Sequence, residues 1–175
     1  MQRSSLTLLF LLAPGCQPNI FHAEVKGEAT VAGAPGGAEL NAFPTVASFS
    51  NVDLDTHQDF RGQGVTKDLV RSVKAEEVRM KILSPPEQDV SFLDTLELYA
   101  RAADQETLVA QKSGIAELGL SAPNPTLALE PTRAELRAFA AAPSMSFIVR
   151  GRGRQPPKDT RVEMLVDLTV ELGAF

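Results

Sequence analysis

The chain has 175 residues, 43% of them hydrophobic and 22% charged, with a formal net charge of −5 and a pI near 5.1. That composition fits one globular domain with a sizeable core and excludes a disordered chain or a polytopic membrane protein. The acidic balance argues against nucleic acid as a partner, and one cysteine with two histidines excludes an internal disulfide and a multi-cysteine zinc site.

The N-terminus carries the most information. Arg3 makes a short cationic start, residues 6–12 form a compact apolar run, and the small residues Ala13 and Gly15 flank Pro14 ahead of Cys16. Cation, apolar core and small-residue exit are the marks of a secretory signal. The run falls well short of the ~20 residues that a membrane-spanning helix needs.

The string Leu12-Ala13-Pro14-Gly15-Cys16 resembles the lipobox of bacterial lipoproteins, with Pro14 departing from the small residue usual there. The resemblance covers residues 1–16 and says nothing of the domain behind them. It implies that residues 1–15 are a cleaved signal peptide and that Cys16 takes a diacylglycerol on its thiol and an acyl chain, such as palmitate, on its new amine. Gln17 stands where the family's inner-membrane retention signal has aspartate, which implies an address at the outer membrane if the cell has one. The implied localisation is the cell envelope, and the implied partner is the membrane itself. Two or more acyl chains give stable anchoring, at about 0.8 kcal/mol per buried methylene. Residues 16–20 are then the lipidated cysteine and a short tether of roughly 13 Å reach. The domain at 21–175 should therefore sit close to the membrane surface.

Along that domain several segments alternate with period two, the pattern of a half-buried strand. Phe21, Ala23, Val25, Ala29 and Val31 form one such face. Residues 44–49 make a shorter candidate. A helical turn is expected after Thr66, carrying Leu69, Val70 and Val73. Val78, Met80 and Ile82, then Leu96, Leu98 and Ala100, alternate again, and residues 108–111 and 127–129 add short strands. Thr132 and Glu135 read as a capping box ahead of a second short helix with Leu136 and Phe139. Met145, Phe147 and Val149 begin another strand. Residues 162–172 make the clearest one, with Val162, Met164, Val166, Leu168, Val170 and Leu172 on one face. The runs 32–38, 121–125 and 151–157 read as loops. The predicted fold is mostly β: a two-sheet antiparallel sandwich, immunoglobulin-like or jelly-roll, with two short helices.

Candidate chemistry is sparse. Asn51, Asp53, Asp55, His57 and Asp59 recur at every second position, and oxygens so spaced can converge on calcium. The EF-hand pattern fails, because Gln58 replaces the turn glycine and Gly64 the bidentate glutamate. An exposed strand face is the preferred reading, with Asp53, Asp55 and Asp59 as weak metal ligands. Arg150, Arg152, Arg154 and Lys158 form a basic patch on an acidic domain, suited to an anionic surface or an envelope protein, or to a solvated hairpin that guards a strand edge. No catalytic motif is present: the Gly-x-Ser-x-Gly, His-Glu-x-x-His and phosphate-loop patterns are all missing, and Arg61-Gly62-Gln63-Gly64 reads as a turn. The function expected is a lipid-anchored envelope protein with a non-catalytic binding or structural role. The alternatives are a calcium- or glycan-binding module and an accessory subunit of an envelope assembly or secretion complex. No cofactor is expected beyond the covalent lipid.

Overall fold

Alternating side chains become alternating burial. In β1 (Ile20–Val31), Phe21, Ala23, Val25 and Val31 are buried, while His22, Glu24, Lys26 and Glu28 are exposed. This is the computed structural model of the chain, and it describes residues 20–53, 56 and 66–173. The remaining strands are β2 (Glu39–Leu40), β3 (Val70–Ser84), β4 (Leu93–Ala102), β5 (Gln105–Ser113), β6 (Thr126–Pro131), β7 (Ser146–Arg154) and β8 (Thr160–Leu172). The protein is mostly β, as expected.

All eight strands join one antiparallel sheet in the order β1-β8-β3-β6-β5-β4-β7-β2. Four ladders couple strands counted inward from the two ends of the chain: β1 with β8, β2 with β7, β3 with β6, and β4 with β5. The immunoglobulin order, which places the first two strands side by side, is not the one found. β6 is the corner. Its residues 126–129 pair with β3, whereas Glu130 and Pro131 pair with Gln111 and Ala110 of β5. The sheet thus curls around one core, to which both halves contribute: Met80, Leu127 and Leu168 from one, Leu96, Leu98 and Phe147 from the other.

Residues 41–52, which follow β2, cross between the β1 and β7 edges of the sheet. Phe43, Val46 and Phe49 are buried there, and Phe49 meets Phe147 edge-to-face at 5.7 Å. Ser48 donates its hydroxyl to the Lys26 carbonyl of β1, and Val52 exchanges backbone hydrogen bonds with Met145 just ahead of β7. Residues 44–49 are therefore not a strand but a crossing segment with a 3₁₀ turn at Ala47–Phe49.

Both expected helices need correction. After Thr66 there is only a 3₁₀ turn, Lys67–Leu69, without a side-chain cap, and Val70 and Val73 already belong to β3. Apolar residues at 69, 70 and 73 imitate helical spacing because β3 carries a register shift between Val70 and Ser72, which puts Val70 and Val73 on the same buried face. The second helix is a single turn, α1 (Arg137–Ala140). Its capping box does not form. Thr132 donates to the carbonyls of Leu108 and Val109, while Glu135 accepts from Arg137, Val73 and Ser72.

Candidate functional site

The run Arg150-Gly151-Arg152-Gly153-Arg154 lies in β7 rather than in the loop that its glycines suggested. Strand alternation explains it: the arginines take the outer face and the glycines the inner one. A side chain at Gly151 would press on the Phe43 ring (2.9 Å) and Leu96 (3.3 Å), so the inner position must be bare. At Gly153 the backbone of Phe92 and Leu93 passes within the space a Cβ would take. The glycines let β4 and the crossing segment close on β7, and that packing aligns three guanidinium groups on one surface.

Two of the four expected cations are engaged. The Arg150 guanidinium lies 4.3 Å above the Tyr99 ring and bonds Glu106 at 2.7 Å. Arg101 takes the other oxygen of Glu106 at 2.7 Å. The Arg101 hydrogen bond, aided by Arg150, holds the Glu106 carboxyl below the usual carboxylate range against the cost of burial. Tyr99 donates its hydroxyl to Glu97 at 3.1 Å. Lys158 reaches away from the row to Glu87 at 2.8 Å, and that hydrogen bond raises the ammonium and lowers the carboxyl. Arg152 and Arg154 are exposed and have no carboxylate partner among the described residues, although Glu39 stands opposite Arg154 in the β2–β7 register.

Two grooves of about 300 Å³ each border this strand. One runs between residues 41–43 and Arg150, Gly151 and Arg152. The other runs between Phe43, Val46 and Ser50 and residues 146–149, with Arg101 on its rim. Phe43 and Val149 line both, so they form one trough beside β7 that opens onto the outer face, where Thr95, Glu97 and Arg101 of β4 also line it. Glu106, Arg101 and Phe43 carry no mark of a site in the sequence. For Tyr99 and Arg101 the signal is period-two placement on one face of β4, and no local pattern shows that β7 will lie beside them.

Of the acidic run, Asn51 and Asp53 fall among the described residues. Asp53 is half-buried and bonds the Lys67 ammonium at 2.6 Å. Thr56 donates its N–H and its hydroxyl to the Asp53 carbonyl. Asp55, His57 and Asp59 lie outside the described residues, as does Cys16. Among the described residues, no three His, Cys, Asp or Glu side chains group in a way that would hold a metal ion. No described helix is long and apolar enough to cross a membrane.

No protein-family model matches the chain, and no curated protein matches it. Several solved structures do. A Nora virus structure aligns with all of this chain and 67% of its own at 12% identity, with a TM-score of 0.32. Turnip yellow mosaic virus aligns with all of this chain and 92% of its own at 10% identity and a TM-score of 0.30. The decameric BFDV capsid protein covers 88% of this chain and 99% of its own at 7% identity and a TM-score of 0.38.

Proposed function

We propose that this is a lipid-anchored protein of the cell envelope with a binding or structural role, its curled sheet working as the two layers of a jelly-roll sandwich. The pairing of strands counted inward from both ends is the winding that supports the jelly-roll reading. Leu12 to Cys16 support the anchor.

The observation that carries the binding role is the outward row of Arg152 and Arg154 and its place in the fold. β1 runs 12 residues from Ile20 to Val31, about 36 Å of extended chain. Val31 pairs with Thr160, and Ala34 bonds Pro156, so the end of β7 lies at the end of β1 far from Ile20. A tether of roughly 13 Å cannot span that length. With the lipid at Cys16, the arginines lie about the length of β1 from the anchor, at the end of the domain where a partner has access. An envelope protein suits them better than the lipid headgroups beside the anchor.

Fractionation and crosslinking in intact cells test both halves. Wild-type protein should pellet with membranes, and Cys16→Ser should accumulate unprocessed or soluble. The R152E/R154E protein should stay on the membrane and lose its crosslinked neighbour. Membrane-bound, fully processed Cys16→Ser would overturn the anchor, and unchanged crosslinks in R152E/R154E would overturn the partner surface.

A further inference from the structure

We infer that the trough beside β7 takes an extended acidic peptide segment as an added strand. The inference rests on the binding role proposed above and names the chemistry of the partner.

The backbone of β7 is half-used. On one side it pairs with β4 along most of its length, Gly153 to Ser146. On the other, β2 reaches only Arg154 and Gly153, and Val52 reaches only Met145. Both ends show which residues face that side. Met145 exchanges both backbone bonds with Val52, and Gln155 donates to Ala38, whereas Arg154 donates toward Phe92 beside β4. Backbone groups alternate along a strand, so Phe147, Val149 and Gly151 aim their N–H and C=O groups at the trough. They have no ladder partner there among the described residues. Unpaired strand edges are templates for another strand, and added strands bind by main-chain bonds with side chains read alternately on two faces.

The walls define the occupant. Side chains turned inward from the added strand would meet Phe43, Val46, Phe147 and Val149. Those turned outward would stand beside Ile148, Arg150 and Arg152, with Arg101 at the far rim. The carboxylates near the trough are Glu97, which accepts from Tyr99, Glu106, which is shared by two arginines, and Glu39, which stands opposite Arg154 at one end. Arg152 is left without one among the described residues. An alternation of apolar and acidic residues meets both faces at once. A second copy of this chain, pairing β7 with β7, would bring its own arginine row to the same edge and is disfavoured by charge.

The register makes a sharp prediction. A peptide residue opposite Val149 exchanges backbone bonds with it and shares its inward face, so the apolar residues of the peptide carry the donors that matter. The probe is a fluorescein-labelled Val-Glu-Val-Glu-Val-Glu-Val peptide, titrated with the full-length protein in detergent and read by anisotropy. Binding is expected, with at least a tenfold loss when the valines are N-methylated and little loss when the glutamates are. Replacing glutamate by lysine should cost tenfold or more, and R150E/R152E should reverse that preference. Because the decisive change is made in the peptide, folding of the protein is not in question. Equal binding by both N-methylated peptides, or no binding up to about 1 mM, overturns the strand addition. So does a concentration-dependent dimer that the peptide fails to compete. If R152E/R154E loses its cellular crosslink while the peptide does not bind, the partner surface stands and the strand-addition mode falls.

Discussion

The carboxylate of Glu135, just ahead of α1, accepts the backbone N–H of Val73 in β3 at 2.8 Å, and the Val73 carbonyl accepts the N–H of Leu136 at 2.8 Å. This reciprocal clasp docks the α1 turn on the sheet, and the Ser72 hydroxyl adds a bond to the other carboxylate oxygen at 2.6 Å.

Partial desolvation opposes the charge of Glu135, but the bonds from Ser72, Val73 and Arg137 outweigh it and hold the carboxyl below the usual range. A carboxyl depressed in the fold stabilises it above the unfolded value, near 4.3, and the contribution is lost as pH falls through the folded value. Urea unfolding should show Glu135→Gln less stable than wild type at neutral pH by about 1 kcal/mol, a modest figure because water screens this exposed group. The two curves should converge as pH falls through the depressed folded value of this carboxyl. A constant offset across that range would remove the charge from the explanation.

Gly153 has φ near 154°, and a Cβ there would run into the Phe92 carbonyl and approach Leu93 Cα at 2.9 Å. Gly36 also has positive φ, at 99°, but faces open space. Gly36→Ala should therefore cost only about 1 kcal/mol of backbone strain, whereas Gly153→Ala should cost about 2–4 kcal/mol or prevent folding. Thermal melts of the pair separate steric crowding from strain.

The Tyr99–Arg150 stack predicts a measurable coupling. A double-mutant cycle of Tyr99→Leu and Arg150→Met should give about 0.5–1 kcal/mol of interaction energy. Tyr99→Phe, which keeps the ring and loses only the bond to Glu97, should retain most of it.

Leu165 and Leu168 are both buried, yet only Leu168 belongs to the core. Leu165 lies on the outer face beside the side chains of Lys26 and Arg79, whose flexible stems can settle into the space it leaves. Leu168→Ala should cost about 3–5 kcal/mol, since the core cannot collapse around the cavity. Leu165→Ala should cost about 1–2 kcal/mol.

Period two made β1, β4 and β8 legible, because each has one face on the core. It failed where a partner decided the outcome. Leu165 breaks the alternation of β8 since neighbours on β1 and β3 cover it from outside. The register shift in β3 disguised a strand as a helical turn. The basic row Arg150 to Arg154 is visible in the sequence, but its glycines carry the signature of a turn. Only the close passage of Phe92 and Phe43 shows that bareness on the inner face is their purpose. The edge groove could not be read, because it arises from how short β2 is relative to β7.

The ladder of β1 with β8 joins Ile20 to Glu171 and Val31 to Thr160. The strand that emerges first during synthesis thus has, as its sheet neighbour, the strand that emerges last of the eight. Such distant pairing slows folding, and it withholds the finished sheet until translation has passed β8.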